Sequence, residues 1–251
     1  MIRPTLIFIC IWALNLSLMA QDNTLAGPAG TSIYYQVDKK IFPCKWRNNR
    51  TRPELFSIDA KDIPGMQAIL NTALDKYPEK VLRKNLKRIY VLKTMFFFGL
   101  EYGGTYYKRK VYVTNNGIEN GYTDQYIEGT FHHEFSSVLL KRHKKYIDKK
   151  AWSAANPPGF EYGGGGVEAL KTEKTSIKLD STLFANGFLN EYSLASFEED
   201  FNCYAEFIFL SDAGFWEAWG NNEAIQKKTA ILIRFYQRFD PIYTLEYFRS
   251  L

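Results

Sequence analysis

The chain has 251 residues, 46% of them hydrophobic, and a formal net charge of +5. Its 32 basic residues are scattered among 27 acidic ones, so the local basic clusters at 84–88 and 141–150 are solvated helix ends and a nucleic-acid partner is excluded. The length suits one domain with a substantial core, or two small lobes around a cleft.

The first twenty residues read as a signal peptide. Arg3 supplies a basic start, residues 6–18 an apolar centre too short for a comfortable membrane span, and Ala20 a small residue at a cleavage point. Its removal lowers the formal charge to +4 and leaves residues 21–251 as a single exported domain, periplasmic, cell-surface or secreted, with no later transmembrane segment. Cys44 and Cys203 remain, and they either pair in an oxidising compartment or are buried as free thiols.

Residues 33–37 read as an aromatic and β-branched strand, followed by a Pro/Arg/Asn-rich loop to Pro53. The spacing of Met66, Ile69, Leu70, Ala73, Leu74, Tyr77 and Val81 predicts one amphipathic helix over 66–85. Strands are expected at 88–92 and 109–114, around a turn-rich stretch from Gly99 to Gly104, giving a small mixed sheet. A helix over 122–145 buries Phe131, Phe135, Val138 and Leu139. Residues 151–179 form an irregular loop, over the cleft or on the surface, and 197–210, 213–219, 223–239 and 241–248 are helical.

The chemistry lies on the 122–145 helix, in Thr130-Phe131-His132-His133-Glu134-Phe135-Ser136-Ser137. In the zinc motif His-Glu-x-x-His, two histidines four apart project from one helix face toward a metal, and the Glu serves as general base. His133 and Glu134 fill the first two places, but Ser137 stands where the second His belongs, and a hydroxyl is a much poorer zinc donor than an imidazole. His143 lies ten residues after His133, but a continuing helix without a turning glycine points it elsewhere. Downstream, Glu199 begins a helix, where a carboxylate suits the dipole, with Tyr192 in the loop that enters it. A register error of one would put Glu198 or Asp200 inward instead.

In these features the chain resembles the gluzincin metallopeptidases, in particular the branch of zinc-binding metallopeptidases secreted by bacteria and the anthrax lethal factor catalytic domain. The resemblance covers roughly residues 85–215 and rests on the His133-Glu134 helix, Tyr192, and Glu199-Asp200-Phe201. It implies an α+β, zincin-like fold in which a small mixed sheet packs on the motif helix and a helical half follows. It further implies zinc held by His133, Glu199 and whatever Ser137 contributes, with Glu134 as general base and Tyr192 as donor to the oxyanion. Some secreted members are associated with outer-membrane uptake, which implies a peptide or protein substrate and a cell-envelope partner.

Three readings compete on the residues. One is a secreted zinc-dependent peptidase or amidase-like hydrolase with a degenerate ligand set. Another is a catalytically silent relative that binds a peptide, glycan or partner protein. A third is an exported structural domain whose motif is coincidence. Retention of His133, Glu134, Tyr192 and Glu199 favours the first, because a silent site has no chemical use for a general base, whereas loss of the second imidazole favours the second. Tyr102, Tyr106, Tyr107, Tyr162, Trp152, Trp216 and Trp219 supply either a stacking surface or core.

Overall fold

The computed structural model describes residues 24–165 and 176–251. The predicted signal peptide, and residues 166–175 of the expected loop, lie outside the described residues.

Seven strands form one mixed sheet: β1 (Thr24–Ala26), β2 (Ser32–Tyr34), β3 (Glu54–Ser57), β4 (Arg88–Phe97), β5 (Leu100–Glu101), β6 (Gly104–Tyr107) and β7 (Lys110–Thr114). The spatial order is β1-β2-β4-β7-β6, and β3 and β5 pair with the far end of β4. β4 pairs in parallel with β2 and β7, while β6 returns antiparallel to β7 at the sheet edge. The expected strand at 33–37 stops at Tyr34, and that at 88–92 runs on to Phe97 because β3 and β5 continue its pairing.

Side chains alternate across the strands, and the alternation divides the core. Ile33, Ile89, Val91, Val111 and Val113 face the helices, whereas Tyr34, Tyr90, Leu92 and Tyr112 face a second, aromatic cluster with Phe42, Trp46 and Phe97. The β-branched face packs closely under helices, and the aromatic face is roofed by the chain around residues 37–53.

The expected helix over 66–85 is two helices, α1 (Ile63–Asp75) and α2 (Glu79–Asn85). Pro78 is the reason: it has no N–H to donate, and its ring clashes with the carbonyl four residues back, so the helix restarts after it. Helix α3 (Asp124–Arg142) carries the motif. The Thr123 hydroxyl accepts from the Tyr126 amide at 3.1 Å to cap its start, and Lys141 and Arg142 complement the dipole at its end. Phe131, Phe135, Val138 and Leu139 are fully buried as expected, and so are His132, Ser136 and Ser137, so α3 is enclosed on nearly all sides. It lies between the β6–β7 edge of the sheet, α1, and a helix of the C-terminal half.

That half contains α4 (Lys149–Ala154), α5 (Ser181–Phe184), α6 (Phe197–Phe209), α7 (Ala213–Asn221), α8 (Glu223–Gln237) and α9 (Leu245–Arg249). Helix α6 packs along α3, and Ser196 caps it by accepting from the Glu199 amide at 3.2 Å. Inside this half, Asp200 Oδ2 accepts from Lys228 Nζ at 2.7 Å, Trp152 Nε1 at 2.8 Å and Tyr162 O–H at 2.6 Å. Burial pulls both the Asp200 carboxyl and the Lys228 ammonium toward their neutral forms, against the attraction between them. Trp152 is therefore a member of the core, and Tyr162 is half-buried with its hydroxyl tied to Asp200. Cys44 is exposed and Cys203 buried; both are free thiols, and no disulfide joins them.

The Asp200–Lys228 pair yields a stability prediction. Lys228→Met leaves a buried carboxylate without its counter-ion and should lower unfolding free energy by about 3–5 kcal/mol. The double change with Asp200→Asn should recover part of that loss, as read by urea denaturation.

Candidate functional site

Helix α3 and the first two turns of α6 bring the predicted residues together. His133 Nε2 stands 3.0 Å from Glu199 Oε2, and its Nδ1 stands 3.4 Å from Glu206 Oε2. Glu199 and Glu206 are seven apart, two helical turns, so both project from one face of α6 and grip the imidazole from either side. Gly129, one turn before His133, permits the approach, since a Cβ there would come within 3.0 Å of the Glu206 side chain. Burial alone would push the His133 imidazole down, but the two carboxylates outweigh it and hold it well above its ordinary value. A protonated ring is thus favoured, donating to Glu199 and ion-paired with Glu206.

Ser137 is brought to the site but is turned to other work. Its hydroxyl donates to Glu198 Oε1 at 2.9 Å and accepts from Asn202 Nδ2 at 2.6 Å. Tyr106, on β6, donates to the same Glu198 oxygen at 2.5 Å. Each of the three consecutive acids at the start of α6 thus has its own partner: Glu198 takes Ser137 and Tyr106, Glu199 takes His133, and Asp200 points away into the Lys228 pair.

Glu134 faces a cavity of about 110 Å³ lined also by Tyr102, Gly103, Gly104, Tyr126, His133 and Tyr192. Burial raises its carboxyl to about 8; His133 opposes the rise, while Glu199, Glu198 and Glu206 add to it. The carboxyl is thus poised near neutrality, the range that suits a group exchanging protons. Tyr192 lies with its ring centroid 5.9 Å from that of His133. Burial first, and then the charges of Glu199 and Glu134, push its phenol upward, so it stays a protonated donor.

The edge strand is pressed against this wall by two glycines. A Cβ at Gly104 would meet Thr130 and come within 2.9 Å of the Glu134 side chain, and one at Gly103 would collide with the Tyr126 hydroxyl.

His132 and His143 take no part. His132 Nδ1 lies 2.9 Å from the Tyr77 hydroxyl and Nε2 lies 3.3 Å from Glu128, with the ring stacked on Phe209. His143 ends α3 against Asn85 and Tyr146. The residues missed by the sequence reading are Glu206, Asn202, Tyr106, Tyr126 and Gly104. Only Glu206 carried a signal, its seven-residue spacing from Glu199.

Whether these residues suit zinc can be judged from donor geometry. Two ligands about 2.0–2.1 Å from one tetrahedral ion stand about 3.3 Å apart, close to the His133–Glu199 separation, and Glu206 sits where an orienting carboxylate belongs. The third donor fails: the Ser137 hydroxyl is engaged by Glu198 and Asn202. Among the described residues no group of three or more His, Cys, Asp or Glu side chains is placed to hold a metal ion. A complete three-ligand zinc site does not fit.

No family model matches the chain, and no curated protein matches it. Among solved structures, its fold is similar to that of a "putative zinc-binding metallo-peptidase" from Bacteroides caccae, with a TM-score of 0.51 and 17% identity over 78% of this chain and 77% of that one. The α+β, metallopeptidase-like architecture expected from the motif is thus shown at the level of fold.

Two predictions follow from the site's packing. Gly104→Ala should destabilise the protein by about 1–3 kcal/mol, because the added methyl displaces the Glu134 side chain or lifts β6, and thermal unfolding reads the loss. Burial lowers His132 to about 4, with Glu128 opposing the fall. A depressed folded value means that its contribution is whole above about 6.5, the unfolded value, and is lost as pH falls toward 4. Relative to His132→Gln, the wild type should therefore lose about 2 kcal/mol between pH 7 and pH 5 in paired denaturation curves.

Proposed function

We propose that this chain is an exported, zincin-like relative of the metallopeptidases that uses its acidic cavity to bind a peptide segment without a complete catalytic zinc site. The single observation that carries the reading is the Ser137 network. A hydroxyl that lacked only its metal would face His133 Nε2 and Glu199, whereas this one is held by Asn202 and given to Glu198. The same α6 carboxylates make the cavity acidic, which favours a peptide carrying an ammonium or guanidinium group. Among the described residues β6 is a sheet edge paired with β7 alone, and it runs beside Glu134, so an extended peptide would find main-chain partners next to the cavity. A partner at the cell envelope agrees with the expected export.

One observation favours hydrolysis as a second reading. Glu134 is held near 8 beside a phenol, Tyr192, that stays protonated, the pairing of proton acceptor and oxyanion donor that acyl transfer needs.

Metal analysis separates the two. The purified protein dialysed against zinc should hold it well below one equivalent, and Ser137→His should raise zinc affinity by about 10- to 100-fold or more. One equivalent bound by the wild type and lost in His133→Ala would overturn the binding reading. Peptide cleavage that disappears in Glu134→Gln would establish the hydrolytic one.

A further inference from the structure

On the aromatic side of the sheet a second cavity, of about 210 Å³, is lined by Trp46, Thr51, Phe97, Phe98, Tyr102 and Thr105. Its walls are four aromatic rings with two threonines, and no charged residue lines it. Tyr102 belongs to both cavities. Its ring packs edge-on to Phe97 at 5.2 Å, while its hydroxyl is buried with no hydrogen-bond partner among the described residues and feels the charge of Glu199. One side chain therefore separates the aromatic cavity from the acidic one.

The turn beside this cavity is conformationally costly. Phe97 pairs with Leu100, so Phe98 and Gly99 are the two-residue loop between β4 and β5, at φ 57° and 78°. Such a loop favours Asn-Gly or Asp-Gly, and a bulky residue at positive φ is strained. Phe98 is also 38% exposed. The fold alone gains nothing from a strained, solvent-facing phenyl ring at this position, and strain of this kind points to a binding role.

We propose that this cavity is a subsite for an aromatic side chain of a bound peptide, an inference that rests on the peptide-binding reading of the adjoining pocket. The size fits, since a cavity of about 150 Å³ suffices to bind benzene. The chemistry fits a phenyl ring better than a sugar, which would require several polar groups where the lining offers two hydroxyls. An extended peptide advances about 3.3 Å per residue, so a cationic group in the acidic cavity and a ring beyond Tyr102 lie one to three residues apart.

The test uses two probes on the full chain: N-acetylphenylalanine amide, followed by NMR at the Trp46 indole N–H, and blocked Gly/Ser heptapeptides with one Lys and either Phe or Ala at varied spacing. The wild type should shift with the small probe and should bind its best Phe peptide about tenfold or more tightly than the Ala version. Phe98→Asn should abolish both effects while its melting temperature equals or exceeds the wild type's, a combination that a purely structural Phe98 cannot produce. Thr105→Trp, which fills the cavity, should abolish them too. If the small probe binds and no peptide does, the subsite stands and the acidic-pocket reading fails. Absence of the Trp46 shift, its persistence in both cavity variants, or displacement of the probe by a neutral hexasaccharide overturns the proposal.

Discussion

The clasp of His133 between Glu199 and Glu206 is the interaction on which the rest of the arrangement depends. Helix α3 is enclosed by sheet and helices, and a buried imidazole must satisfy both ring nitrogens or forfeit their hydration. One face of α6 meets that demand with two carboxylates two turns apart. The protonated ring forms a charge-assisted hydrogen bond with Glu199 and an ion pair with Glu206 in a setting with little water, where such interactions are strong and removal of one partner is costly. The angle and depth at which α6 meets α3 follow from that clasp, and so do the positions of Ser137, Glu198 and the cavity beneath them.

Replacing an imidazole by a hydroxyl at position 137 should leave an unpaired polar group, and the Ser137 hydroxyl is instead paired on both sides, although Asn202 Oδ1 beside it is buried without a partner among the described residues. Asn202 and Glu198 reach in from α6, Tyr106 reaches across from β6, and Ser137 both donates and accepts. The place of the missing ligand is rebuilt as a hydrogen-bonded junction of three elements. A junction of this kind stabilises the packing of α6 and β6 on α3, so the serine has a structural reason to persist that owes nothing to metal. Glu134 is different: its carboxyl is raised by burial and by its acidic neighbours, and among the described residues it has no hydrogen-bond partner that would explain keeping it there.

The sequence carried the parts of this arrangement that are periodic or local. The helical span of α3, its buried side chains, the two central strands and the C-terminal helices follow from apolar spacing and caps; His133, Glu134 and Ser137 stand out by their match to the zinc motif, Glu199 by its place at a helix start, and Tyr192 by the resemblance to the metallopeptidases. Pro78 should have divided the 66–85 helix, but apolar spacing continues through it and hid the break. Glu206, Asn202 and Tyr106 stayed hidden because their roles depend on which faces of α6 and β6 meet α3, and tertiary contact decides that. The pairing of Asp200 with Lys228 is of the same kind, since a charge 28 residues away becomes a neighbour only in the folded chain.

The glycines at the sheet edge tie these observations to ligand capture. Gly103 and Gly104 carry no side chain between β6 and α3, so the edge strand lies closer to Glu134 than any other residue would allow, and the cavity becomes a narrow slot beside the sheet edge. Tyr102, just before that pair, is thereby pinned between the slot and the aromatic cavity, its ring against Phe97 and its hydroxyl in the field of Glu199. One short stretch, Tyr102-Gly103-Gly104, thus sets the width of the acidic pocket and its boundary with the apolar one, so whatever selectivity the protein has should reside on the sheet edge more than on the helix that carries the motif.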